Sequence, residues 1–325
     1  MKTRDKILKL LEKYAQMTVH ELSLKLKVSR QYIHRLLNDL EEDGYLEIVG
    51  TPPKVYYMLR PQLDTGYISE MTLDDEKFLS QHFLLVDPLG NMLEGLDAMR
   101  YWCEKQNLPI QKTVSEYIET RKKYLAFYTD NDLIDGTEKL RNTTGMDKIG
   151  VDKLYYLDFY AIERFGKTRL GTLMHYAKQG QNKILMKQIV NEIRQRVYRL
   201  IDFHEIDAVL FVPPTIDRKV QIMKVLQKLL NIEKPIVKVE KIKSQIVVPQ
   251  KALSKIFERV TNARKTFYVP EQVSYERILI IDDAIGSGAT INEIAIKIRD
   301  KGIAKKIIGL AITGSYKGFE VISEL

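Results

Sequence analysis

Apolar positions recur at helical spacing three times within the first sixty residues. Ile7, Leu8, Leu10, Leu11 and Tyr14 make one face. Thr18 caps a short second helix carrying Val19, Leu22, Leu24 and Leu26, and Ser29 caps a third whose Ile33, Leu36, Leu37 and Leu40 face inward. Gly44 stands where a left-handed residue ends a helix. Two extended runs, 45–49 and 55–59, flank a hairpin tip at 50–54. Residues 61–69 read as a linker. The pattern then predicts a helix over 73–79, a strand over 82–86 entering a turn at 87–90, and helices over 92–106 and 114–128, separated at Pro109. Farther on it predicts a helix over 183–201, strands over 208–213, 236–239, 278–281 and 305–312, and a helix opening at Thr290 with Ile291, Ile294 and Ile298. Between the second and third of those strands, 241–269 is long, basic and weakly patterned. A loop of that length in a compact domain reads as a functional lid.

Composition narrows the class. The chain has 325 residues, of which 45% are hydrophobic and 29% charged, the balance of a globular protein with room for more than one core. No apolar run approaches the roughly 20 residues that span a bilayer, and the charged first sixteen residues do not read as a secretory signal. The expected location is the cytoplasm. A single cysteine, Cys103, rules out an internal disulfide and argues against a cysteine-based zinc site. The net charge of +8 is uneven: residues 1–60 carry about +3, 61–150 about −6 and 151–325 about +11. The basic half suits phosphate-rich ligands or nucleic acid. Trp102, Tyr101 and the aromatics of 124–128 in the acidic middle read as core or interface, because aromatics chiefly supply buried area.

Three helices followed by a hairpin resemble a winged helix-turn-helix domain, here over residues 1–60. The resemblance makes the third helix the reading helix. Ser29, Arg30, Gln31, Tyr32, His34 and Arg35 near its start are able to bond base edges or phosphates, and Lys54 sits on the wing. The implied partner is double-stranded DNA; a protein-contact role for the same domain is the alternative.

The chemistry concentrates at 280–290. An apolar run ends in Asp282 and Asp283, and Gly286-Ser287-Gly288-Ala289-Thr290 follows as a tight loop opening a helix. Glycines let the backbone approach a ligand, and amides at a helix start favour an anion. The acid pair would repel a phosphate but accept hydrogen bonds from vicinal hydroxyls. One phosphate site beside one diol site describes a ribose 5-phosphate. This stretch resembles the phosphoribosyl pyrophosphate (PRPP) motif of type I phosphoribosyltransferases, with Gly286 where that family usually has Thr. The resemblance implies an α/β phosphoribosyltransferase fold over 151–325, a parallel sheet with flanking helices, behind the winged helix and a mainly helical segment at 61–150. It also implies Mg²⁺ arriving with PRPP and no metal held directly by protein.

Within that superfamily, residues 160–180, the helix over 183–201 and the pattern Gln250, Leu253, Ser254, Arg259, Asn262, Phe267 resemble the ComF branch. Thr215, Arg218 and Lys219 then occupy the pyrophosphate-loop position, although Arg218 and Lys219 read equally well as solvated charges at a helix start. Lys251, Arg259 and Lys265 are the flexible-loop cations, and residues 313–319 lie where they could cover a ligand. The ComF pyrophosphate-loop sequence and its four-cysteine zinc module are both missing. Three functions fit. The first is a DNA-binding regulator sensing PRPP or a nucleotide, the module pairing of the purine-operon repressor type. The second is an active transferase or nucleotide-consuming effector of defence or toxin type, restrained by its winged helix. The third is ComF-like handling of single-stranded DNA. A homodimer or larger assembly through 61–150 is expected.

Overall fold

The computed structural model describes residues 3–43, 45–51, 54–59, 71–214, 218–242, 256–270 and 272–317, and the chain divides into two compact units, Met1–Glu70 and Met71–Leu325. Gly44, the hairpin tip at 52–53, the linker at 61–69, Thr215 and Lys251 lie outside the described residues, as do the side chains of Lys54 and Arg259.

In the first unit, α1 (Thr3–Tyr14), β1 (Gln16–Met17), α2 (Val19–Leu26), α3 (Arg30–Glu42), β2 (Leu46–Thr51) and β3 (Lys54–Leu59) follow in order. The strands form an antiparallel sheet in the order β1-β3-β2. Helix α2 starts where Thr18 and Glu21 bond each other's backbone amides in a reciprocal cap. It stops where Lys27 turns left-handed at φ 54°. Ser29 Oγ accepts from the Tyr32 amide at 3.2 Å and opens α3. Ile7, Leu11, Met17, Leu22, Ile33, Leu37, Leu40, Leu46 and Tyr57 close one core. Leu24, expected on the inward face of α2, is 64% exposed, because Leu22 alone of that helix points fully into the core.

The second unit begins with α4 (Leu73–His82), the hairpin β4 (Leu84–Val86) and β5 (Met92–Glu94), α5 (Gly95–Gln106), α6 (Ile110–Leu125), β6 (Ile134–Asp135) and α7 (Thr137–Arg141). Then come β7 (Lys153–Phe159), the small pair β8 (Ala161–Ile162) and β9 (Gly166–Lys167), α8 (Arg169–Gln179), α9 (Lys183–Phe203), β10 (Ala208–Phe211) and α10 (Ile222–Leu230). The series ends with β11 (Glu240–Lys241), α11 (Ile256–Thr266), β12 (Phe267–Tyr268), β13 (Tyr275–Ile285), α12 (Ala289–Asp300) and β14 (Ala304–Gly314).

Strands order β10-β13-β14-β7-β6 in one sheet; the first four run parallel and β6 runs antiparallel. Parallel strands are covered on both faces, and the alternation of side chains follows that rule. Val209, Leu279, Ile281, Leu310 and Ile312 face a core shared with α8, α9 and α10. Leu210, Ile278, Ile280, Ile307 and Ala311 face the opposite core with α12.

That second core also takes Leu79, Phe83, Met99, Val114, Tyr117 and Tyr124 from the segment 71–150. The expected boundary between residues 150 and 151 therefore runs through continuous packing, and β6 of the earlier segment is itself a strand of the sheet. The aromatics read as core or interface include Tyr124, buried edge-on to Phe159 at 5.4 Å between centroids, and Trp102, 5.5 Å from Phe165. A buried ion pair ties the same segment down. Arg121 Nη1 and Nη2 donate to the two carboxylate oxygens of Asp158 on β7 at 2.9 and 3.0 Å.

Three expectations change in this unit. Strand β7 precedes the strand at 208 and was not foreseen. The strand expected at 236–239 contributes one parallel bridge, Ile236 to Val209. The stretch 241–269, expected as a loop, holds α11 and β12 within its described part, because Val260, Ala263 and Phe267 recur at helical spacing and are buried.

Candidate functional site: a cradle at the carboxyl ends of the parallel strands

Ligands of open α/β sheets bind beyond the carboxyl ends of the strands. At that end of β10 and β13 lies a cavity of about 400 Å³. Three segments line it: Lys178 and Gln179 from the end of α8, Val212 to Pro214 with Arg218 and Val220 to Met223 from the loop after β10 and the start of α10, and Asp282 through Ile291. The structure thus gathers the acid pair, all five expected phosphate-loop residues and Arg218 around one space. Lys219 is exposed and Lys265 is exposed on α11; neither lines the cavity.

The acids do not sit in a loop. Strand β13 continues past them to Ile285, because Asp282, Ala284 and Ile285 keep their pairing with Ala311, Thr313 and Gly314 of β14. Asp282 is therefore carried on paired backbone and Asp283 between two paired residues, a stiffer mount than a turn. The Asp283 amide donates to Asp282 Oδ1 at 2.8 Å, which orients the first carboxylate. Buried Thr313 donates to the Asp283 carbonyl at 3.4 Å.

The chain then turns within three residues. Gly288, at φ +82°, is the N-cap of α12, so the helix opens at Ala289, one residue before the expected Thr290. The backbone angle calls for glycine at 288, and a Cβ there would lie 2.5 Å from Leu140 Cδ1, so that side chain would have to shift. The first intrahelical bond is Asn292 N to Gly288 O at 3.0 Å, which leaves the amides of Ala289, Thr290 and Ile291 without a carbonyl inside the helix. Ser287 Oγ accepts from Ala289 at 3.4 Å. The first turn of α12 carries no acidic residue, so nothing in the helix itself neutralises the positive end of its dipole. Backbone donors, the dipole and two hydroxyls favour an anion there.

Lys178 is a site residue that the sequence reading missed. Its ammonium pairs with Asp283 Oδ2, and the two side chains are 32% and 13% exposed. Arg218 donates to the Lys178 carbonyl and, at 3.2 Å, to Gln179 Oε1, while the Val220 amide donates to Gln181 Oε1 at 2.9 Å. The loop after β10 is thereby stitched to the end of α8. Residues 313–317 do not cover the cavity. Tyr316 packs among Tyr124, Phe127 and Phe159 at 4.6 to 5.6 Å between centroids. The Lys139 ammonium donates to the Ser315 carbonyl, and burial lowers its pKa to about 8. Among the described residues, no three His, Cys, Asp or Glu side chains gather as a metal site.

On α3 of the first unit, Arg30, Gln31, His34 and Arg35 are exposed, with Tyr32 half-buried. Arg30 Nη2 lies 2.6 Å from His20 Nδ1 of α2, and the Arg35 guanidinium sits 5.5 Å from the Tyr32 ring centroid. Arg30, Gln31, His34 and Arg35, four of the residues expected to read DNA, are therefore exposed on one helix. No helix among the described residues is long and apolar enough to cross a membrane.

No curated protein matches the chain. Among solved structures, one of adenine phosphoribosyltransferase is similar at 14% identity and a TM-score of 0.29, covering 45% of this chain and 78% of that one. Residues 2–47 match the family described as winged helix-turn-helix DNA-binding, so the first unit carries a domain of that class.

Proposed function

We propose that the protein is a DNA-binding regulator whose second unit senses PRPP or a related ribose-phosphate nucleotide, in the manner of a ComF-like phosphoribosyltransferase domain. The observation that carries this reading is the cradle itself: amides at the start of α12 and two strand-mounted carboxylates line one cavity. The amides and hydroxyls of 286–290 take the 5-phosphate. Asp282 and Asp283 accept hydrogen bonds from the ribose diol. Mg²⁺ would arrive with PRPP, neutralising its diphosphate and held by ligand oxygens and water rather than directly by the protein. Binding changes DNA affinity through a coupling free energy, typically about 5- to 150-fold.

Calorimetric titration with PRPP and Mg²⁺, followed by a pyrophosphate-release assay over a panel of nucleobases, tests the reading. Saturable binding without release is expected. Release with any base would replace the sensor by a transferase, and absence of binding would remove both.

For the first unit, Arg30→Ala with Arg35→Ala is expected to weaken duplex binding across sequences and to flatten its dependence on salt by about two counterions' worth of slope. The match of residues 2–47 and the exposure of both side chains support that expectation. A gel shift series over salt concentration reads it. Identical slopes for variant and wild type would count against α3 as the reading helix.

A further inference from the structure

The charge balance around the cavity points to one more residue. Among its described lining residues the anions are Asp282 and Asp283 and the cations are Lys178 and Arg218. The lining is thus neutral before any ligand binds. A sugar with only a 5-phosphate places its negative charge on the amides of α12, away from the carboxylates. A second, diphosphate group on the same sugar can meet the start of α10, whose Gln221, Ile222 and Met223 also line the cavity, but it adds negative charge to a space that already holds two carboxylates. It needs a cation able to move to it. Arg218 is committed to the Lys178 carbonyl and to Gln179 Oε1. Lys178 is held only at its tip by Asp283, on a flexible stem with three rotatable donors.

Resting on the ribose-phosphate reading of this cradle, we propose that Lys178 is the residue that makes the site select a diphosphorylated over a monophosphorylated sugar. In the ligand-free protein its ammonium is parked on Asp283. When the diol of the ligand donates to Asp283, the ammonium exchanges that partner for the diphosphate oxygens and so keeps a charge-assisted contact throughout. The end of α8 then supplies a diphosphate contact that Lys219, exposed and outside the cavity lining, does not. Because Arg218 grips the backbone of Lys178 itself, the exchange is felt by the loop after β10.

Titration of wild type, Lys178→Ala and Lys178→Arg with PRPP and, separately, with ribose 5-phosphate tests this, each with Mg²⁺ present. Wild type is expected to prefer PRPP. Lys178→Ala should lose roughly tenfold or more in PRPP affinity, the worth of one charge-assisted contact, with ribose 5-phosphate affinity within about twofold. Lys178→Arg should keep most of the preference. Equal losses for both ligands in Lys178→Ala would mean a structural role, and unchanged or tighter PRPP binding would mean that Lys178 only obstructs the site; either overturns the proposal. Ribose 5-phosphate binding also reports that the variant is folded. If wild type binds ribose 5-phosphate without preferring PRPP, this inference falls while the cradle stands. If it binds neither, the cradle falls as well.

Discussion

Asp282→Asn combined with Asp283→Asn is expected to reduce affinity for PRPP by two to four orders of magnitude without unfolding the protein. Hydrogen bonds to a charged group are worth about 1.5–3 kcal/mol each, and neighbouring contacts do not add simply. Two such losses therefore correspond to roughly a hundredfold to ten-thousandfold in affinity. Asparagine keeps the shape of both side chains and an oxygen that can accept from the residue 283 amide, as Asp282 Oδ1 does at 2.8 Å. The strand pairing that holds these positions is made by backbone. Calorimetry reads the binding and a thermal melt reads the fold. A variant that melts like wild type and still binds PRPP normally would end the assignment of the acids.

The second large effect lies away from the cavity, at Arg121 and Asp158. Their side chains are 5% and 7% exposed, the two-point contact spans 2.9 and 3.0 Å, and the Asp158 carboxylate also accepts from Tyr128 Oη at 2.7 Å and the Phe159 amide at 2.8 Å. Among the described residues Arg121 Nε has no hydrogen-bond partner. Breaking a buried pair by removing one partner leaves an uncompensated charge and typically costs about 3–5 kcal/mol. Asp158→Ala should therefore lose that much in urea denaturation. Arg121→Met with Asp158→Leu should lose clearly less than Asp158→Ala, since no charge remains buried. A single variant as stable as wild type would show the pair to be dispensable.

His82 gives the same region a pH signature. Burial, and next the Arg121 charge, hold its pKa at about 4 instead of 6.5. The folded form thus binds its proton later than the unfolded chain does. Stability is full above about pH 6.5 and is lost as pH falls toward 4. Arg121→Met removes the second of those causes, so the His82 ring resonances should titrate at higher pH in that variant.

What could be read from sequence was local. The caps at Thr18 and Ser29 bond amides three residues away, and the acid pair, glycines and helix start of the cradle are contiguous, so residue type alone announces them. What escaped depends on distant partners. Strand β7 contains Asp158, a charge whose burial makes sense only beside Arg121, 37 residues earlier. Lys178 meets Asp283 across 105 residues, and no spacing rule connects them. Segment 71–150 looked separable because its acidic balance set it apart, whereas its apolar face is what completes the core over β13 and β14. Helix α11 was obscured by the polar and basic residues around Val260, Ala263 and Phe267, whose spacing was the available signal.

The two margins of the large sheet are blunt. On one side β6 pairs with β7 through Ile134 and Asp135, and the Leu157 carbonyl beyond it accepts from Arg196 Nη2. On the other, β10 is four residues long and meets a single bridge at Ile236. An exposed strand margin is a template on which other chains can stack into aggregates. With its outer carbonyl already occupied and its flank this short, the sheet offers a foreign strand little to bind. The stacking of strand on strand is thus narrowed at both margins of the sheet.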